Sequence, residues 1–167
     1  MKREGYIAIV LAAFVGLALY FAPRSPKPIA LDETESGHQH AQATQVDSLE
    51  TMVQQAVEML QSGSAPPMQA IGMLRKVVEI DPDHGSGNFY LGYFSVMSGQ
   101  YDKAVSRLET VLRVYPQNAD AMLLMAQAKM GLGDRESAKV YAEKCLETNP
   151  VPDTKVQAEE LLTTLNQ

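Results

Sequence analysis

The sequence predicts an all-α chain: an N-terminal transmembrane helix, then a short solenoid of three helix pairs, then a C-terminal capping helix. Three observations carry this. Ala70, Ala104 and Ala138 are evenly spaced, and Pro82, Pro116 and Pro150 repeat the same interval. A fixed period of this length marks stacked supersecondary units, none of which buries its apolar face without a neighbour. Apolar residues recur at helical spacing from Leu49 onward. Finally, Gly5 to Ala22 form one unbroken run without a charge. At about 1.5 Å per residue such a helix spans roughly 27 Å, close to the ~30 Å of a bilayer core.

The elements follow in order. Residues 1–22 are expected to remain as an uncleaved anchor, because Tyr20 stands where a cleavage site ahead of Pro23 wants a small residue. Tyr6, Tyr20 and Phe21 sit at its ends, where amphipathic rings favour the interface. Lys2 and Arg3 on one side face Arg24 and Lys27 on the other, so charge gives only a slight bias toward a cytoplasmic N-terminus. That orientation, usual for anchors at the extreme N-terminus, puts the rest of the chain outside the cytoplasm. Residues 23–45 read as a disordered linker, stiffened at first by Pro23, Pro26 and Pro28 and polar thereafter. Its His38 and His40 have no third ligand beside them and read as solvated, not as a metal site.

Repeats are expected over residues 46–152. The first helix, to about Gln61, carries Leu49, Met52, Val53, Ala56, Val57, Met59 and Leu60 at helical spacing. Further helices are expected at 67–80, 86–98, 101–114, 119–131 and 135–148, with prolines opening the second in its first turn. Residues 153–167 begin at Asp153, a residue type suited to the N-cap. They carry Val156, Leu161, Leu162 and Leu165 on one side and charges on another, as a helix covering the open end of a stack should.

The even spacing, the apolar or small residue four places after each alanine (Leu74, Leu108, Ala142) and the closing prolines resemble the tetratricopeptide repeat, a pair of antiparallel helices. Leu91-Gly92, Gly99-Gln100-Tyr101 and Ala104 show the resemblance best. Small residues at Ala56, Gly92 and Ala126 let the two helices of a unit approach, and the prolines end the second helix. The family's aromatic positions are departed from: Asn88 and Ser95 fill them in the second unit, Met122 and Lys129 in the third. The resemblance implies that first helices of successive units line a concave groove. The matching positions are Val53, Val57 and Leu60, then Phe89, Tyr93, Val96 and Met97, then Leu123, Gln127 and Met130. Such a groove is largely apolar, which suits an amphipathic helix or an extended apolar peptide. The family's clamp of Lys, Arg and Asn for a terminal carboxylate has no counterpart at these positions. Helix 86–98 is apolar almost all round and must bury two faces; whether Phe89 and Tyr93 face a ligand or a neighbouring helix stays open.

Charge excludes other classes. Residues 46–167 hold ten Lys or Arg and sixteen Asp or Glu, so 10 − 16 gives −6, and no basic stripe offers itself to nucleic acid. Cys145 occupies the place held by Val77 and Val111 in the other units, as a small core residue would, and His84 lies in a turn. With no phosphate loop, Cys-x-x-Cys or zinc spacing, the chain is expected not to be an enzyme and to need no cofactor. The expectation is a membrane-tethered adaptor or assembly factor that holds a partner protein or peptide. A self-associating scaffold is the alternative, as is an apocytochrome-binding role like that of the membrane-anchored tetratricopeptide proteins of bacterial cytochrome c maturation, which this chain resembles in architecture.

Overall fold

A computed structural model of the chain describes the backbone of residues 39–167 and the side chains from Ser48 onward. The expected anchor at 5–22 and the linker as far as residue 38 lie outside the described residues. Among the described residues there are seven helices and no strand. None of these helices is long and apolar enough to cross a membrane. They fall into two compact units, Met1–Ala70 and Ile71–Gln167.

In the first unit, α1 (Gln39–Ser62) buries Leu49, Val53, Ala56 and Val57, the i, i+4, i+7, i+8 stripe expected from the sequence. It begins well before the predicted Val46, so the end of the expected linker is helical. That stretch escaped the periodicity test because Gln39 to Gln45 has no large apolar residue on any side, yet it contains neither Gly nor Pro to stop a helix. Ser62 closes α1 by donating its hydroxyl to the Glu58 carbonyl at 2.7 Å, and Gly63 then turns away at φ 63°. Helix α2 (Pro67–Ile80) starts in this unit and runs into the second.

The second unit continues α2 with α3 (Gly85–Met97), α4 (Tyr101–Val114), α5 (Ala119–Gly131), α6 (Arg135–Glu147) and α7 (Pro152–Leu165). Helices α3 and α4 pack as one pair and α5 and α6 as the next, with α4 against α5 and α6 against α7. The first helices of successive pairs also lie side by side, α3 beside α5 and α5 beside α7. Boundaries from α2 to α6 agree with the sequence reading to within one residue. At α7 the N-cap is Val151, not the expected Asp153: Pro152 fits the first helical position, where no N–H is needed, and Asp153 follows it inside the first turn.

Close approach within a pair depends on small residues. A Cβ on Gly92 would come within 3.0 Å of Leu108 on α4, and Ala104 and Ala138 are fully enclosed. The sharp turns inside the two pairs place Gly99 at φ 71° and Gly133 at φ 81°, the left-handed region that costs other residues a Cβ clash. Helix starts are capped in register. Asn118 Oδ1 accepts from the Ala121 N–H at 2.9 Å, and His84, one repeat earlier, accepts at Nδ1 from the Gly87 N–H at 3.2 Å. Cys145, Val77 and Val111 are all buried at equivalent places. Cys145 sits in the cluster that α5, α6 and α7 share, with Ala126, Ala142, Ala158 and Leu161.

Candidate functional site

A helix inside a stack has only a narrow strip left to meet solvent, and α5 shows where it lies. Its residues Ala121 to Ala126 and Ala128 are buried, whereas Asp120, Gln127, Lys129 and Met130 reach the surface. On α3 the same register positions, Ser86, Tyr93, Ser95 and Val96, are half-buried, and Met97 at its end is 57% exposed. Because α3 and α5 lie side by side, the register sets Tyr93 level with Gln127 and Val96 level with Met130, and the two strips make one surface.

The structure divides the predicted groove residues in depth. Phe89 is 1% exposed and Leu123 is buried, so both side chains lie beneath the strip, Phe89 edge-on to Tyr90 with centroids 5.5 Å apart. Tyr93, Val96 and Gln127 are half-buried, while Met97 and Met130 are exposed. In the first unit Val53 and Val57 are buried and Leu60 is half-buried. Of the residues matched to the groove, Phe89, Leu123, Val53 and Val57 are therefore enclosed, and the question left open for Phe89 resolves toward a neighbouring helix. An i, i+4 pair such as Phe89 and Tyr93 straddles the edge of a helix in a stack, so one member goes under the neighbouring helices and the other meets solvent. Burial also pushes the Tyr93 phenol above its ordinary pKa.

Helix α3 carries no charged residue, whereas the second helices α4 and α6 carry theirs at frequent intervals. The α3 side of the strip is thus uncharged, and the α5 side carries Asp120 and Lys129 at its two ends with Gln127 and Met130 beside them. Burial, with a smaller contribution from the Asp120 charge, pushes the Cys145 thiol up to about 11, away from the reactive thiolate form. Among the described residues no group of three His, Cys, Asp or Glu is placed to hold a metal ion. The His38 and His40 side chains lie outside the described ones.

Three features escaped the sequence reading. Asn88, noted only as a departure from an aromatic position, is 1% exposed and fully bonded. It donates to the Pro82 carbonyl at 2.8 Å and the His84 carbonyl at 3.0 Å, and accepts from Arg107 of α4 at 3.0 Å. Thr154 of α7 donates its hydroxyl to Asp120 of α5 at 2.6 Å. Arg135 donates to the Thr164 and Leu165 carbonyls at the end of α7. The last two were legible in principle. Thr154 follows Asp120 by one repeat, and Arg135 and Leu165 follow by the same interval Tyr101 and Gly131, where the tyrosine ring lies against the glycine.

These relations make α7 the register equivalent of a first helix, stacked on α5 as α5 is on α3. Residues 95–158 match the family model described as tetratricopeptide repeat. The second unit is a tetratricopeptide-like solenoid. Solved structures agree on the fold. The first tetratricopeptide domain of Spaghetti (RPAP3), bound to the HSP90 peptide SRMEEVD, superposes with a TM-score of 0.64 at 17% identity, over 73% of this chain and 93% of that one. The Yersinia enterocolitica type III secretion chaperone SycD, in complex with a peptide of the translocator YopD, gives a TM-score of 0.62 at 18% identity over 72% and 93%. Residues 41 to the end of MamA from Desulfovibrio magneticus RS-1 give 0.55 at 17% over 93% and 92%. No curated protein sequence matches the chain. At these identities the likeness is one of fold.

Proposed function

We propose that this protein is a membrane-tethered adaptor or assembly factor whose tetratricopeptide domain holds an apolar segment of a partner protein against α3 and α5. The observation that carries the reading is the strip itself: Tyr93, Val96, Met97 and Met130 reach the surface on two adjacent helices, the first of which has no charge at all. Apolar side chains presented together on a rigid scaffold are the usual anchors of a helix-in-groove or extended-peptide contact. Two proteins of the same fold hold peptides in their solved structures, an HSP90 peptide on Spaghetti and a YopD peptide on SycD. The acidic balance of residues 46–167, with Lys129 the one base that α3 and α5 carry, favours a partner segment that is apolar or basic over an acidic one.

The uncharged run from Gly5 to Ala22 supplies the tether, and the repeats then stand outside the cytoplasm. Crosslinking of the full-length protein in its own membranes, followed by pull-down, should recover a specific partner whose yield falls in Tyr93→Ala. Alkaline carbonate should leave the full-length chain in the pellet, and a shortened soluble form starting near Pro23 would remove the tether from the reading. A second copy occupying the strip would instead give a mass in light scattering that rises with concentration and no partner in the crosslink.

A further inference from the structure

The strip contains one half-buried carboxylate, Asp120, for which the described residues supply no cation. Asp120 lies in the first turn of α5, in line with Ser86 on α3 and Thr154 on α7, each one repeat from the next. Its hydrogen-bond partner is the Thr154 hydroxyl at 2.6 Å, and among the described residues no Lys, Arg or His lies within ion-pair distance of it. The other charge of α5, Lys129, sits at the opposite end of the helix and acts on Asp134. A partly desolvated carboxylate with one neutral donor has acceptor capacity left over, since two oxygens take about four hydrogen bonds.

We propose that Asp120 is a specificity-determining residue of the strip and receives a basic side chain, Lys or Arg, from the bound segment. The inference deepens the proposed function and rests on it. Thr154 holds one carboxylate oxygen, which fixes the orientation of the other. Asp120 and Gln127 are two helical turns apart, so the cation is read about 10 Å along α5 from the Tyr93–Gln127 level. The bound segment then carries a basic residue roughly three residues from its apolar anchor if it is extended, or about seven if it is helical. Polarity is thus reversed relative to a clamp for a terminal carboxylate: here the protein brings the anion.

The test pans a displayed library of random twelve-residue peptides on the full-length protein in detergent micelles. Wild type should enrich peptides with an apolar cluster and one Lys or Arg at a constant separation. Asp120→Asn keeps an acceptor for the Thr154 hydroxyl, so the fold stands; it should lose the basic preference, keep the apolar one and weaken a selected peptide roughly tenfold. Asp120→Lys should turn the preference to Glu or Asp at the same separation. Equal enrichment of basic residues by wild type and Asp120→Asn overturns the Asp120 assignment while leaving the strip standing. Failure of wild type to enrich apolar clusters, or enrichment unchanged in Tyr93→Ala, overturns the strip and the assignment together.

Discussion

At the scale of single residues, the repeat works by reusing positions with different chemistry. The place of Val77 and Val111 is taken by Cys145, which is small enough for the shared core and as dry as the valines. That substitution leaves a thermodynamic mark. The thiol ionises from its usual 9.0 in the unfolded chain but is held protonated to about 11 in the folded one. A raised acid pKa contributes stability that is complete below pH 9 and is lost as pH climbs toward 11, at most about 2 to 3 kcal/mol for a shift of this size. Urea melts of wild type and Cys145→Val at pH 8 and pH 11 should therefore diverge, with the wild type losing ground; parallel melts would mean the thiol is not enclosed. Ala104 offers the complementary measurement. It is fully buried where α4 meets α3, one helical turn before Leu108, which itself lies against Gly92. Ala104→Leu should cost on the order of 1 to 3 kcal/mol by overpacking, read as a lowered thermal midpoint.

At the scale of elements, α7 is the informative case. By sequence it reads as a lid; Lys155, Glu159 and Glu160 are exposed, and so is Val156, which the sequence placed on the apolar side with Leu161 and Leu165. Its packing adds that it is a first helix in register, tied to α5 by Thr154–Asp120 and to α6 by Arg135. A guanidinium at the end of a helix satisfies free carbonyls and opposes the negative end of the dipole. Tyr101 does the same job of fastening on α5 by laying its ring over Gly131, so two unlike side chains serve one position. Arg135→Gln should accordingly speed amide hydrogen exchange in the last turn of α7 while leaving α5 unchanged; equal protection in both proteins would show the contact to be idle. Helix boundaries and the repeat were legible because period and punctuation are written in residue types: alanines at contacts, prolines at ends, glycines where φ is positive. The buried polar node was not legible. Nothing in Asn88 alone says that a carbonyl of Pro82, a carbonyl of His84 and an arginine of α4 converge on it, since that convergence exists only after α3 and α4 pack. The start of α1 was missed for the opposite reason, a helix with no apolar face to betray it.

At the scale of the molecule, function depends on which part of an apolar helix is spent on folding and which is left for a partner, and α3 divides the two within one turn. Phe89 and Tyr93 are both aromatic and stand one helical turn apart, yet one is enclosed and the other half-open. The two alanine variants should therefore fail differently. Phe89→Ala empties a closed site and should cost about 3 to 5 kcal/mol, enough to lower or abolish the helical melt and to remove binding with it. On the proposed function, Tyr93→Ala strips an anchor from the strip; at about 2 kcal/mol for such an anchor, partner capture should fall roughly thirtyfold while the circular dichroism spectrum and melt stay close to wild type. Double replacement should resemble Phe89→Ala in stability, since the larger loss sets the outcome. A Tyr93→Ala protein that melts as early as Phe89→Ala would mean that both rings are spent on the core, and the apolar anchors of the strip would then be Val96, Met97 and Met130.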